Sequence, residues 1–342
     1  MPELTVAVLT DVGGAHLDSY FAGLALSDQV RSVIVADPSG MSEAAAKKSL
    51  GGKLTHFGRD HSRALIEQPG MTLITMEALH APPVIQMALE ANCHVLAEKP
   101  SCVKAEDFET LVRLADMKHR FLMLAFANRL RGTVIAARKL IQSGQIGQIY
   151  GCELHIVADQ TRLKNPTYHK SWFADRARSG GGHLMWLGIH WIDLVMYLTD
   201  SQIVEVAGFA GVVGGQPLKI EDSAAMSLRF DNGSFGTMTS GYYLDRGYHS
   251  HIKIWGSHGW LQLEPHGGEP LQCSSTKESP AQIRKYDGPP DDTSYTPLVQ
   301  ACVKASADSA SPPVTSVQSL HALKTVFACY RAAETGQSQR VA

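Results

Sequence analysis

Leu4 to Leu9 is a nearly continuous apolar run, the pattern of a strand buried on both faces. Val33 to Ala36, Leu73 to Thr75 and Val95 to Ala97 repeat it. Helical spacing lies between these runs. Pro82-Pro83 suits the first turn of a helix, where the missing N–H costs nothing, and Val84, Met87, Ala88 and Ala91 then follow the i, i+3, i+4, i+7 rule. Phe108, Leu111, Val112 and Ala115 repeat that spacing in the next helix. Strand and helix in alternation imply right-handed crossovers and a doubly wound parallel sheet. The expected fold class is therefore α/β, with a Rossmann-like domain over residues 1–124.

The pattern changes in the second domain, residues 125–342. Ala224, Met226, Leu228 and Phe230 alternate with small or polar residues, as in a strand with one buried face. Asn232-Gly233 then predicts a two-residue type I′ hairpin, returned by Phe235 to Thr239. Ile252 and Ile254 begin another strand, which Ser257-His258-Gly259 turns into Trp260 to Leu263. This antiparallel meander makes the second domain α+β. Gly267 to Asp292, rich in Gly, Pro, Ser and charge, reads as a surface loop, and a last helix spans Leu320 to Ala333.

Composition narrows the function classes. Of 342 residues, 44% are hydrophobic and 19% charged, enough to build a sizeable core. Lys plus Arg number 31 against 33 Asp plus Glu, a formal net charge of −2, which gives no electrostatic support for nucleic-acid or membrane-surface binding. The six cysteines form no Cys-x-x-Cys pair, so neither a zinc ribbon nor a disulfide framework is expected. No apolar run approaches a membrane span, and Met1-Pro2-Glu3-Leu4 lacks the opening of a signal peptide. The expectation is a reducing, cytoplasmic enzyme.

Where a dinucleotide fold turns from its first strand into a helix, the helix N–H groups hold the pyrophosphate. That turn here is Thr10-Asp11-Val12-Gly13-Gly14-Ala15-His16. Gly13-Gly14 allows a tight turn and close phosphate approach, yet Thr10 and Val12 stand where glycines are expected, and an ordinary strand-to-helix turn explains the segment equally. Asp11 suits a phosphate site only if its side chain points away. Asp37, ending the second strand, is placed to bind the ribose hydroxyls and to repel a 2′-phosphate, favouring NAD over NADP. Asp37-Pro38-Ser39-Gly40 also reads simply as a turn.

The segment His94-Val95-Leu96-Ala97-Glu98-Lys99-Pro100 resembles the Glu-Lys-Pro motif of the glucose–fructose oxidoreductase/inositol dehydrogenase/rhizopine catabolism (Gfo/Idh/MocA) family. Other pieces agree in order and spacing. They are Leu79-His80, Asn128-Arg129, Ser143-Gly144-Gln145-Ile146-Gly147, Ser179-Gly180-Gly181-Gly182, Gly188-x-His190-x-x-Asp193 and Glu221-Asp222. The resemblance implies a Rossmann domain, then a domain with a large open sheet, an active site between them, and NAD(P)-dependent redox chemistry on sugars or cyclitols. It also implies a cofactor site including Thr10, Val12, Gly13, Gly14, Asp37, His80, Glu98 and Lys99. Two departures stand out: the eroded glycine turn, and Trp186 where the family carries an aspartate four residues before its histidine.

The helix of that histidine can also be read directly. At about 100° per residue, Leu184, Leu187, Gly188, Trp191, Leu194, Val195 and Leu198 make one apolar stripe. Trp186, His190, Asp193 and Tyr197 fall nearly opposite, as neighbours along one row. Ser179 and the glycines before them suggest an N-cap and a closely approachable helix start. A histidine in such a row can take a hydroxyl proton while hydride leaves the same carbon. Asp193, at i+3, is placed to orient His190. By geometry alone this is an ordinary half-buried helix with a hydrogen-bonded histidine; the resemblance makes His190 the catalytic base.

Lys99, just past a strand's C-terminal end, lies where open α/β sheets place ligands, and Pro100 fixes its exit direction. Its ammonium suits a developing alkoxide; without the motif it is an exposed structural lysine. Glu98 either pairs locally or touches the nicotinamide ribose. Tyr168, His169, Trp172 and Trp186 are expected to line a substrate cleft, Trp186 offering a flat face to a sugar ring. Arg129, Arg162 and Arg176 are candidates to pair with an acidic substrate, although solvent-facing arginines are commoner. His249 and His251 share a strand face, but no third ligand is evident and no metal is expected.

The leading expectation is an NAD-dependent dehydrogenase of a secondary hydroxyl on a sugar, glycoside or cyclitol. Its near relative is a redox-neutral cycle that oxidises C3, eliminates the aglycone and reduces again, with Tyr168, His169 or His249 as the second base. A third reading is a non-catalytic sugar or cofactor sensor. Self-association into a homodimer or homotetramer through the open sheet follows by analogy with the family.

Overall fold

The computed structural model describes residues 3–161, 163–244, 246–280, 282–308 and 310–342; Met1, Pro2 and Arg162 lie outside the described residues. The chain divides into two compact units. The first runs to Ala127 and adds Ala177–Gly180 and Ser294–Leu320; the second is made of Asn128–Arg176, Gly181–Thr293 and His321–Ala342. A single cut near residue 124 leaves both returning stretches in the second domain, because neither carries a pattern that announces its partner. Arg178 ties the shorter stretch into the first unit: its guanidinium donates to both oxygens of Glu77, at 2.7 and 2.6 Å.

The first unit is built on a parallel sheet of β1 (Leu4–Thr10), β2 (Val30–Ala36), β3 (Leu54–Gly58), β4 (Met71–Thr75), β5 (His94–Ala97) and β6 (Leu122–Leu124), in the order β3-β2-β1-β4-β5-β6. β4 and β5 are buried along their whole length, as their apolar runs require. β3 is absent from the sequence reading because it is an edge strand, Leu-Thr-His-Phe-Gly, without a continuous apolar run. The chain order reverses between β1 and β4, the position where such sheets open a crevice at their carboxyl ends. The two expected helices form at Ala81–Glu90, with proline in its first turn, and Ala105–Met117.

The second unit carries nine strands: β7 (Ile149–Asp159), β8 (Ile203–Gly211), β9 (Ser223–Phe230), β10 (Phe235–Leu244), β11 (Tyr248–Gly256), β12 (Gly259–Leu263), β13 (Leu271–Ser275), β14 (Ile283–Lys285) and β15 (Gln339–Arg340). Their order is β14-β13-β12-β11-β7-β10-β9-β8-β15. β7 and β10 run parallel and the other pairs antiparallel.

Two expectations need correction here. The stretch read as a surface loop, 267–292, contains β13 and β14; Leu271, Cys273 and Ser275 alternate inward, a period hidden by the polar composition around them. The β9–β10 hairpin is not type I′, since of Asn232 and Gly233 only Gly233 has a positive φ (87°). Gly233 N–H donates to the Phe230 carbonyl at 3.0 Å and Phe230 N–H to Ser234, closing a three-residue loop with glycine in the left-handed position.

All six cysteines are free and buried. Among the described residues no helix is long and apolar enough to cross a membrane.

Candidate active site

In the first unit, a cavity of about 460 Å³ opens where β1 gives way to the helix Leu17–Ala25, lined by Asp11, Val12, Gly13, Gly14, His16 and Asp37 among others. The fit of a dinucleotide can be tested at Gly14. A Cβ there would lie 2.4 Å from the Thr10 hydroxyl oxygen and 2.7 Å from the Thr75 carbonyl, so only glycine lets the loop run against the ends of β1 and β4. Gly13 takes a positive φ of 86° and His16 one of 58°. The residues present therefore fit a cofactor pyrophosphate cradled by main chain. Thr10 plays another part than expected: it is buried, absent from the cavity wall, and donates its hydroxyl to the Thr75 carbonyl at 2.7 Å. It bolts β1 to β4.

Asp11 answers the question its charge raised. Its carboxylate accepts the N–H of Val12 at 2.7 Å, occupying a donor that a phosphate oxygen would use. Asp11→Asn keeps that acceptor and removes the charge. NAD should then bind about five- to tenfold more tightly, roughly the effect of removing one like charge near the phosphates in a solvated site. Calorimetric titration checks this, and unchanged or weaker binding counts against a pyrophosphate at this loop.

Asp37 is buried, and its carboxylate is clamped by two serines. One oxygen accepts from Ser39 N–H (3.0 Å) and hydroxyl (2.6 Å), the other from Ser42 N–H (2.9 Å) and hydroxyl (2.7 Å). Burial pushes its pKa up, but these hydrogen bonds together outweigh it and hold the group below its usual value. Both sequence readings thus meet in one residue: a turn that also presents a fixed negative charge to the cavity. Among its described lining residues the cavity has Asp11, Asp18 and Asp37 against His16, with no lysine or arginine. NAD should therefore raise the melting temperature more than NADP does; equal or reversed protection removes the selectivity argument. Arg59, whose guanidinium lies against Gly40, is the cation a 2′-phosphate would recruit, so Arg59→Ala should lower any protection by NADP.

Glu98 continues from β5, its N–H donating to the Ile74 carbonyl at 2.8 Å. Its side chain pairs locally: one oxygen accepts the Tyr20 hydroxyl and the other the Lys99 N–H at 3.1 Å. Lys99 is 5% exposed and Glu98 likewise 5%, so Lys99 is a buried side chain and not an exposed structural lysine. The Lys99–Pro100 peptide is cis. His80 is exposed at the start of the helix Ala81–Glu90, its ring nitrogen 3.8 Å from Glu77.

In the second unit the helix of His190 begins with a π turn, Leu184–Gly188, and continues as α-helix over Ile189–Thr199. The extra residue of a π turn breaks a uniform 100° reading. His190, Asp193 and Tyr197 keep their common face, whereas Trp186 leaves the row. Trp186 is 6% exposed and packs edge-on against Trp172 (ring centroids 5.1 Å apart) and Phe173 (4.7 Å), so it presents no open face to a sugar. Trp172, also buried, stacks on Phe173 at 4.1 Å.

Asp193 is buried, and its two oxygens accept from Arg129 at 2.9 and 2.6 Å. Burial pushes its carboxyl up more strongly than Arg129 pulls it down. The Arg129 guanidinium, 4% exposed, also lies 4.8 Å from the Tyr197 ring centre. Arg129 is thus a buried strut and Asp193 its counter-ion, in place of a substrate-pairing arginine and a simple histidine orienter. Arg176 pairs with Glu334. Tyr168 is half-buried against Ala158, Leu163 and Tyr242, and His169 bonds the Leu163 carbonyl.

The helix start is not capped by Ser179, which ends the short helix Arg176–Ser179. The cap comes from Glu221, missed by local reading because it stands far along the chain. Its carboxylate accepts Gly182 N–H at 2.7 Å, Leu184 N–H at 2.9 Å and the Tyr330 hydroxyl at 2.9 Å. Gly182 is required there, since a Cβ would lie 2.0 Å from the Glu221 carbonyl oxygen. Burial pushes Glu221 up to about 7. His183, fully buried, bonds Ser240 at 2.6 Å and meets Tyr242 edge-on. His251 stacks on His155, with Glu153 3.4 Å away, but no metal-holding group exists among the described residues.

Comparison with known proteins gives two family matches, "Oxidoreductase family, NAD-binding Rossmann fold" over residues 12–126 and "GFO/IDH/MocA C-terminal domain" over residues 134–262. The chain is similar to levoglucosan dehydrogenase of Pseudarthrobacter phenanthrenivorans, 26% identical over 269 residues, covering 70% of this chain and 63% of that protein. It is also similar to the D-xylose 1-dehydrogenase [NADP(+)] of Haloarcula marismortui, 28% identical over 198 residues, covering 56% and 52%. The chain thus spans under two thirds of the length of these curated relatives. A solved levoglucosan dehydrogenase in complex with NADH and L-sorbose shares the fold, with a TM-score of 0.87 at 19% identity over 100% of both chains.

Proposed function

Because the chain belongs to the GFO/IDH/MocA oxidoreductase family, we propose that it is an NAD-dependent dehydrogenase acting on a secondary hydroxyl of a sugar, glycoside or cyclitol. The observation that carries the reading is Lys99, held at the carboxyl end of β5 in the NAD-binding unit with its main-chain N–H fixed by Glu98. NAD, when bound, would supply the hydride acceptor, and the loop 11–16 and the Asp37 turn would hold it. Lys99 stabilises the alkoxide as the hydroxyl loses its proton, a charge-assisted hydrogen bond that strengthens as charge develops. His190 takes that proton. Arg129 and Asp193 fix the helix face from which His190 projects. Tyr168 and His169 contribute to the sugar-binding surface, whereas Trp172 and Trp186 pack behind it.

Incubating the protein with levoglucosan, D-xylose and aryl D-glucosides in the presence of NAD tests the reading. NADH should accumulate in proportion to oxidised sugar. Aglycone released without net NADH would instead establish the redox-neutral cycle, and NAD binding with no turnover of any probe would favour a sensor. We further propose a cytoplasmic enzyme that self-associates as a homodimer or homotetramer through the nine-stranded sheet. On its open face Phe209 and Phe235 stand exposed. Sedimentation velocity should show a single species larger than the 37.1 kDa monomer.

A further inference from the structure

We infer that Tyr20 is a positioning residue for Lys99, acting through Glu98. The inference rests on the reading of Lys99 as the reacting ammonium. Tyr20 lies on the helix that follows the phosphate loop, is fully buried, and donates its hydroxyl to Glu98. The other Glu98 oxygen accepts the main-chain N–H of Lys99 at 3.1 Å, and the Glu98 carbonyl accepts the Ser101 hydroxyl. The carboxylate is therefore a rigid link with one oxygen on each side: the phosphate-loop helix, and the backbone from which the ammonium projects.

The link extends further toward the cofactor cavity. The Tyr20 ring meets Tyr295 edge-on with centroids 5.0 Å apart, and Tyr295 stacks on His16 at 4.7 Å. His16 lines the cavity and begins the Tyr20 helix. Tyr295 belongs to the returning stretch Ser294–Leu320, so a distant part of the chain closes the same network within the first unit. A buried carboxylate that lost its hydroxyl donor would have to find another partner, and the Lys99 backbone is the group it already holds. The hydroxyl thus sets where the ammonium stands relative to the loop that holds the cofactor.

Tyr20→Phe removes one oxygen and keeps the ring packing. It should lower kcat on the sugar that turns over by about ten- to a hundredfold, the cost of misplacing a reacting group by around 1 Å. NAD affinity and the sugar KM should stay within about twofold, since neither is held by the hydroxyl. Combining it with Glu98→Gln should cost no more than the worse single variant, because both act on one link.

A second readout does not depend on turnover. Acetic anhydride labelling of Lys99, mapped by mass spectrometry, should rise several-fold in Tyr20→Phe and lose its protection by NAD. Unchanged kcat together with unchanged Lys99 labelling overturns the inference, as does an additive loss in the double variant. If Tyr20→Phe does not fold, Glu98→Gln alone carries the same test, with full kcat and parental Lys99 labelling as the refuting result. Lys99→Ala separates the two levels: if it retains activity the reading of Lys99 fails, whereas an inactive Lys99→Ala beside a fully active Tyr20→Phe refutes only the role of Tyr20.

Discussion

Lys99→Met and His190→Ala should each lower kcat/KM by about three orders of magnitude or more, within the range expected for a general base or an oxyanion-stabilising cation. Methionine at 99 is unbranched, one atom shorter than lysine, and fills most of the space of a 5%-exposed side chain while removing its ammonium, so the loss reads mainly on the charge and its N–H donors and little on a cavity. Both proteins should unfold within a few degrees of the parent. Thermal protection by NAD should survive His190→Ala, because the cofactor cavity belongs wholly to the first unit and His190 to the second. A small primary amine should partly restore the Lys99→Ala enzyme, and imidazole the His190→Ala enzyme, if each group acts by its chemistry. Steady-state kinetics on the active sugar decide the matter. Activity within tenfold of the parent in both variants would sink the assignment of these two residues. Loss in one alone would leave that residue and discard the other.

What the chain declares locally was legible. Buried strands of a parallel sheet are apolar on both faces, so β1, β4 and β5 stood out as short runs, and prolines marked the start of the helix at Ala81. The Glu-Lys-Pro segment drew its meaning from the combination of matching pieces along the chain, and what the structure adds is its place directly after the buried strand β5. The missing pieces depend on partners far along the sequence. Asp193 reads as a histidine orienter until Arg129 is seen to take both its oxygens. Trp186 reads as an open aromatic face until the π turn rotates it onto Trp172 and Phe173. Tyr20 carries no signal at all, because an aromatic on the inner stripe of a helix is ordinary core until its hydroxyl finds a buried carboxylate. The eroded glycine turn is a different case. Gly14 is compelled by space and Gly13 by its positive φ, and Thr10 substitutes a hydrogen bond to β4 for the close approach a glycine would allow.

The cap on the His190 helix should make stability depend on pH in a direction opposite to the usual carboxylate. Glu221 is buried and pushed from 4.5 up to about 7, so the folded protein holds its proton where the unfolded chain has released it. Stability from this group is full below about pH 4.5 and is lost as pH rises through 7, by about 3 kcal/mol at 1.36 kcal/mol per unit. Glu221→Gln cannot ionise and should lack this component. It keeps an acceptor oxygen but turns an N–H toward the Gly182 or Leu184 donor, at a cost of roughly 1 kcal/mol. The parent should therefore be the more stable protein at pH 5, and the variant should overtake it by pH 8. Urea unfolding of both at the two pH values isolates the term, since every other titrating group is common to them. Parallel pH profiles would mean that Glu221 stays ionised throughout, held charged by Gly182, Leu184 and Tyr330. Glu221→Ala goes further. It strips both N–H groups of their acceptor at the start of the helix, at about 1–3 kcal/mol for each orphaned donor, and should lower kcat as well as stability because that helix carries His190.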